Sequence, residues 1–368
     1  MSEGVLGILG GGQLGWMLAL AGHPLALRAR FIDPAPDASA GRVAEQIVGI
    51  YSDTNVLNQF IPSLQVVTYE FENVPVETVR WLEQFVPVHP AAQALEVAQD
   101  RLAEKTFFQR LGIPTAPFAP VATRVDLQTA LVEIGLPAVL KTRRFGYDGK
   151  GQFVLRESEE IDQVWAALGG APLILEGFVR FERELSILAV RGHDGSIGYY
   201  PLVENHHRDG ILRRSFAPAP QLTPNLQAQA EGYATRVLEH LDYVGVLAIE
   251  LFQDHDNLLV NEMAPRVHNS GHWTIEGAET SQFENHLRAI MGLPLGSTEP
   301  RGHSVMLNLI GTLPDPAVVL TVPGAHIHLY GKEPRPGRKL GHITLRADDL
   351  LMLEDRLRRL KEVVTQLD

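Results

Sequence analysis

Glu250 and Glu262 are carboxylates set inside otherwise apolar, strand-like runs, VGVLAIELF and LLVNEM, on either side of the polar turn DHDN. Their midpoint is Asp256, so an antiparallel hairpin would set them nearly opposite each other on one face. Two carboxylates this close repel, and burying them is costly. A divalent cation answers both problems. Oxygen-only donors and one or two carboxylates point to magnesium, with manganese as the alternative, completed by phosphates of a substrate. The plainer reading is a solvent-facing pair on an edge strand, against which the apolar flanks argue.

A second group lies in KTRRFGYDGKGQ, residues 141–152. Lys141 ends an apolar strand, and Gly146, Gly149 and Gly151 would let backbone amides approach phosphate oxygens. A P-loop is absent, and a surface hairpin tip is the competing reading. GGGQLG, Gly10 to Gly15, follows a strand and opens a helix, with Asp33 at the end of the next strand. That is the spacing of a dinucleotide fingerprint, but also of a tight turn presenting amides to another polar ligand. Glu176 in LILEGFV and Glu184 in RFERELS could accept bonds from an adenine amine and ribose hydroxyls, or be solvated strand ends. His268 and His272 are four apart, yet the intervening Asn-Ser-Gly disfavours a helix and no H-E-x-x-H is present, so zinc is a poor reading. His326 and His328 share a strand face and suit a structural role. Lys332, Arg335, Arg338 and Lys339 cluster in YGKEPRPGRKLGH, which suits a phosphate monoester or a solvated basic turn.

These groups need a scaffold of several units, as a chain of 368 residues implies. Hydrophobic content of 45% and charged content of 21% fit a globular protein with a sizeable core. A net charge of −12 argues against a general nucleic-acid binder. The absence of cysteine excludes disulfides, thiolate nucleophiles and cysteine zinc sites. No apolar run approaches membrane-spanning length, and the first residues lack a secretion signal, so the expectation is a cytoplasmic enzyme without membrane or nucleic-acid partners.

Residues 1–95 alternate strands and helices, including a helix near 55–61, and predict a parallel doubly wound sheet. The pattern over 91–111 predicts one helix, stopped at LGIP. From there, strands at GLPAVLK, GQFVL, APLILEGFV and RELSILAVRG lead to a helix in NLQAQAEGYATRVLEHLDY and the glutamate hairpin. HSVMLNLIGT, AHIHLYGK and GHITLRA return to β structure, and a helix over 349–366 ends the chain.

In its motifs GGGQLG, YEFENVP, KTRRFGYDGKGQ, YPLVENHHRDGIL, NEMAPRVHNSGHWTIEGA and RPGRKLGH, in this order, the chain resembles the ATP-grasp enzymes, and among them the N5-carboxyaminoimidazole ribonucleotide synthase family. The resemblance implies an N-terminal α/β domain at 1–95, a two-lobed ATP-grasp domain at 96–295 and a small β-rich C-terminal domain at 296–368, so α/β and α+β structure together. It implies that ATP, magnesium and bicarbonate give carboxyphosphate, which carboxylates the 5-amino group of aminoimidazole ribonucleotide. It also implies a homodimer, and no nicotinamide cofactor.

By position in the motifs, Arg101, Lys141, Gly146, Tyr147, Asp148, Gly149, Lys150 and Gly151 would hold ATP phosphates. Glu176, Gly177, Phe178 and Val179 would line the adenine, Glu184 would take the ribose, and His207 and Asn261 would lie near the nucleotide. Glu250 and Glu262 would ligate the metal. Gln13, Leu14 and Glu70 would meet the second substrate, with Lys332, Arg338 and Lys339 on its phosphate. Tyr147, Asp148, Arg266, His268, Asn269 and His272 would surround the reacting centre, where Asp148 and His272 both remain candidates for the amine proton. Trp16, Val267 and Ala264 depart from the family pattern, and Ala264 leaves the third protein ligand of the metal unassigned. The nearest rival is the formate-dependent glycinamide ribonucleotide ligase of the same superfamily, against which HNSGHW and GRKLGH argue. An NAD-dependent oxidoreductase would leave the lysine loop and the glutamate pair unexplained.

Overall fold

Strands Glu45–Val48, Arg28–Asp33, Val5–Leu9 and Leu64–Tyr69 lie side by side in that order, all parallel. They belong to a computed structural model that describes residues 4–146 and 150–364. The apolar run of the central strand Val5–Leu9 follows from burial on both faces. Ile8 and Phe31 face one core, with Leu18 of helix Gln13–Gly22, while Leu9 and Ile32 face the other, with Phe60 and Leu82. The helix expected near 55–61 spans Thr54–Phe60, capped by Asp53.

The single helix expected over 91–111 is instead two, Ala92–Ala98 and Arg101–Arg110. Asp100 is the cause. Its carboxylate accepts the N–H groups of Leu102 and Ala103, a capping geometry that restarts the helix. The same carboxylate takes a two-pronged bond from Arg143 at 2.9 and 2.7 Å, which ties the new helix start to the loop after Lys141.

A four-stranded antiparallel sheet, ordered Phe118–Val121, Leu173–Gly177, Ala138–Thr142 and Gln152–Leu155, packs helices Arg124–Ile134 and Ile161–Leu168 through Leu127, Val164 and Leu175. A larger antiparallel sheet runs from Asn257–Ala264 through Gly245–Asp254, Arg183–Arg191, Val203–Arg208 and Ile211–Ala217. It continues into His303–Ile310, Lys339–Ala347 and Ala325–Leu329, so the C-terminal strands extend the sheet that carries the glutamate hairpin. Strand alternation splits this extension cleanly. Val305, Leu307, Ile343 and Leu345 pack on Leu353 and Leu360 of the final helix, Leu350–Val363, whereas Asn308 and His342 pair on the opposite face. Among the described residues, no helix is long and apolar enough to cross a membrane.

His286, on helix Gln282–Ile290, joins two of the sheets. The Val246 N–H donates to its Nδ1 at 3.0 Å, so Nε2 carries the proton and donates to Thr68 Oγ1 at 2.9 Å. Burial holds this imidazole down at about 3. An unfolded histidine protonates near 6.5, so as the pH falls from there the unfolded chain gains the proton first and stability declines. Wild-type melting temperature should therefore drop more steeply between pH 7 and pH 5 than that of His286→Gln, which should itself be less stable at pH 7 by about 1–3 kcal/mol. Parallel pH slopes for the two proteins would contradict this account.

Candidate active site

The hairpin register places the glutamates. From the turn outward, Asp254 pairs with Asn257, Gln253 with Leu258, Phe252 with Leu259 and Leu251 with Val260. Continued without interruption, that register would set Glu250 against Asn261 and turn Glu262 to the other face. A bulge at Asn261 intervenes, and Glu250 pairs directly with Glu262. One extra residue thus brings both carboxylates to one side, because a one-residue slip exchanges the faces of a strand. The midpoint at Asp256 reached the right pairing, but the turn is centred half a residue earlier and the bulge makes up the difference.

Burial and mutual repulsion push Glu250 up to about 7. Glu262 is drawn down to about 2 despite its burial, since Arg101 Nη1 donates to its Oε2 at 2.6 Å. Arg101 stands in this place because the helix restarts at Asp100. Beneath the pair, burial and Glu262 hold Glu104 up at about 8, and its Oε1 accepts the Met263 N–H at 2.7 Å. The Asn261 carbonyl accepts from Lys105 at 3.2 Å, and its buried Oδ1 has no partner among the described residues. This is a set of oxygen donors around two facing carboxylates, which fits a hard divalent cation. Among the described residues, no group of three or more histidine, aspartate or glutamate side chains could hold a metal unaided.

A cavity of about 430 Å³ opens over the pair. It is lined by Arg101, Lys141, Gly146 and Lys150, and by Phe178, Glu184, His207 and Phe252. Asn261, Glu250 and Glu262 line it too, as do Arg266, His268, Asn269, His272 and Lys339, and Gln13 and Leu14 from the start of helix Gln13–Gly22. His207 is bonded to Glu184, which with Glu250 raises its pKa against the effect of burial. His268 is held down to about 3 by burial and by Arg266, and its Nε2 lies 3.4 Å from Glu250.

Glu176, Gly177, Val179 and Gly151 do not line this cavity. Glu176 is buried behind it, where its Oε2 holds Lys141 at 3.0 Å and Lys105 at 3.2 Å. It keeps Lys141 aimed inward while desolvation lowers that lysine's pKa. Tyr147, Asp148 and Gly149 lie outside the described residues. Lys332 bonds to Gln13 from behind, and Arg338 donates to the Glu333 carbonyl at 3.1 Å, so neither forms the wall.

The N-terminal glycine turn has its amides taken by carboxylates. Glu70 accepts the Gly12 and Gly15 N–H groups at 2.5 and 2.8 Å, and Asp33 accepts the Gly11 N–H at 2.8 Å. A Cβ on Gly12 would meet Glu70 Oε1 at 2.5 Å, and Gly10 adopts φ +103°. The glycines accommodate an internal glutamate, which leaves no amide cradle for a pyrophosphate.

Among the cavity residues that the sequence did not single out, Phe252 and Glu72 matter most. Phe252 lies two positions after Glu250 and so had to share its face, a signal that was available. Glu72 lines the cavity and accepts from Arg266 Nε at 2.6 Å, but it follows strand Leu64–Tyr69 and had no periodicity to place it.

Three family models match the chain: a ribonucleotide synthetase preATP-grasp domain over residues 4–99, an ATP-grasp domain over 106–283 and a phosphoribosylaminoimidazole carboxylase C-terminal domain over 304–356. The chain is 54% identical to the N5-carboxyaminoimidazole ribonucleotide synthase of Pseudomonas aeruginosa, over 98% of this chain and 99% of that one. It resembles the crystal structure of the N5-carboxyaminoimidazole ribonucleotide synthetase from Thermus thermophilus with a TM-score of 0.95 and 62% identity, covering 98% and 99% of the two chains. The Aspergillus clavatus enzyme in complex with ADP and 5-aminoimidazole ribonucleotide matches with a TM-score of 0.92 and 32% identity, over 100% of both chains.

The repulsion between Glu250 and Glu262 has a measurable cost in the ligand-free protein. Glu250→Gln should melt higher than wild type without ligand, and should lose the rise in melting temperature that magnesium and ATP give the wild type. A variant that melts lower without ligand, or keeps the full ligand-induced rise, would contradict the geometry.

Proposed function

The chain belongs to the N5-carboxyaminoimidazole ribonucleotide synthase family, ATP-grasp ligases that carboxylate 5-aminoimidazole ribonucleotide in purine biosynthesis, and from that premise we propose how its own residues serve the reaction. ATP enters with its base against Phe252 and Phe178 and its ribose at Glu184 and His207. Its phosphates lie against Lys141, Arg101 and Lys150. Phosphoryl transfer needs charge neutralisation more than covalent help, and these cations supply it. Glu250 and Glu262 would hold the metal, magnesium or manganese, which when bound neutralises phosphate oxygens. Arg101, bonded to Glu262 in this structure, would face the phosphates where the metal takes that carboxylate.

A bicarbonate oxygen then forms a bond to the terminal phosphorus as the bond to ADP breaks, giving carboxyphosphate. The substrate amine attacks its carboxyl carbon, and inorganic phosphate leaves. Arg266, fixed by Glu72, stands with His268 and Asn269 where that carboxyl group passes. Asn269 is locked in place by a reciprocal amide pair with Asn308 at 3.1 and 2.7 Å. Lys339, Gln13 and Leu14 face the ribonucleotide, with Lys332, Arg338 and Glu70 around them. Carboxyphosphate is short-lived in water, so forming it inside the cavity, away from bulk water, protects it. The same reading carries a cytoplasmic homodimer as the working form.

The observation that carries this proposal is one cavity lined by Lys141 and Arg101, by His268 and His272, and by the carboxylate pair. ADP release should require magnesium, ATP, bicarbonate and aminoimidazole ribonucleotide together, and Glu262→Gln should reduce it to background while the circular dichroism stays native. Near-normal turnover in that variant would break the metal assignment, and turnover only with formate and glycinamide ribonucleotide would move the chain to the sister reaction.

A further inference from the structure

His272 lines the cavity yet is almost wholly buried, and three neighbours decide what its ring can do. The first is Gln282. Its Oε1 accepts the His268 N–H at 2.9 Å and its Nε2 donates to the His268 carbonyl at 2.7 Å, so the amide cannot flip without losing both bonds. Gln282 therefore presents an N–H to His272 Nδ1, at 3.5 Å. Nδ1 must stay unprotonated to accept it, which leaves the proton of a neutral ring on Nε2. A second proton on Nδ1 would set two N–H groups against each other.

The other two neighbours form a stack. The His342 ring lies 4.7 Å from that of His272, and the His328 ring lies 4.4 Å beyond, at 11° to His342. The Tyr330 hydroxyl is bonded to His342 Nδ1 at 2.7 Å. Of the three rings, His272, His342 and His328, only His328 is bonded to a carboxylate, Glu276, at 2.7 Å. The groups that face His272 are thus His268 beside it, Arg266 from the end of the glutamate hairpin, Lys339 and His342 from one strand and His328 from the next. Every one is neutral or positive, while helix Gln282–Ile290 contributes Gln282 and the ring of Phe283. Burial and these neighbours hold His272 well below the usual histidine range.

We propose that His272 acts as a neutral hydrogen-bond donor, through Nε2–H, to the carboxyl group in transit, and that Gln282 and His342 are positioning residues that fix this tautomer. It is then not the acceptor of the amine proton, and no proton passes through it. This deepens the synthase reading and rests on it for the identity of the group that accepts the bond.

The full chain labelled with ¹⁵N-histidine gives the direct test, the His272 signals being identified by their loss in His272→Gln. The wild type should show an unprotonated Nδ1 and a protonated Nε2 that do not titrate between pH 6 and pH 8.5. A protonated Nδ1, or titration in that range, would overturn the proposal. Kinetics give the second arm. Glutamine can place an amide N–H near the Nε2 position, so His272→Gln should keep kcat within about tenfold and retain the acid limb of the pH profile, whereas His272→Ala should lose about 100-fold or more. Equal inactivity of both variants, with the acid limb abolished in any residual activity, would make His272 the base instead. Should the wild type not turn over aminoimidazole ribonucleotide at all, the functional reading fails, and the nitrogen spectra still decide the tautomer.

Discussion

Two half-buried carboxylates facing each other across a strand pair are the constraint around which the site is organised. In water, Glu250 and Glu262 would repel weakly; here burial and that repulsion push Glu250 up to about 7, while Arg101, against the effect of burial, draws Glu262 down to about 2. The chain answers with cations held close by. Arg101 compensates Glu262 directly. Lys105 and Lys141 stand nearby, themselves held by Glu176. Each of these depends on an earlier feature of the backbone: Arg101 on the restart of a helix at Asp100, and Lys141 on its place at the end of a strand.

The same logic of internal neutralisation separates the two glycine-rich segments. In the N-terminal turn the amides that a dinucleotide would need are bonded to Glu70 and Asp33, so the motif is a device for seating a carboxylate against backbone. At residues 141–152 the lysine reaches the open cavity from the end of its strand. Similar composition leads to opposite uses because one turn has its anion built in and the other borders a space that can admit one.

Much of this was legible in the sequence. The alternation of residues 1–95 marked the parallel sheet, and the midpoint of Glu250 and Glu262 in a polar turn marked them as facing carboxylates. What escaped was local geometry decided by side chains distant in sequence. The break at Asp100 depends on Arg143 as well as on its own capping bonds, and periodicity alone ran the helix through it. The bulge at Asn261 has no signature in residue type. The placement of Glu176 behind the cavity, as the partner of two lysines, required knowing that Lys105 and Lys141 converge. Glu72 was hidden for the reverse reason, since it follows the last strand residue, where alternation no longer applies.

The pairing of Glu250 with Glu262 across the bulge, as a seat for a divalent cation, is the claim on which the rest depends. It is tested most directly by anomalous diffraction from crystals of the full chain grown with manganese and a non-hydrolysable ATP analogue. The account predicts one manganese peak at coordination distance, about 2.1 Å, from both carboxylates, with Arg101 turned from Glu262 to the phosphates. A peak bound to neither glutamate, or to one of them with Arg101 still on Glu262, would contradict it.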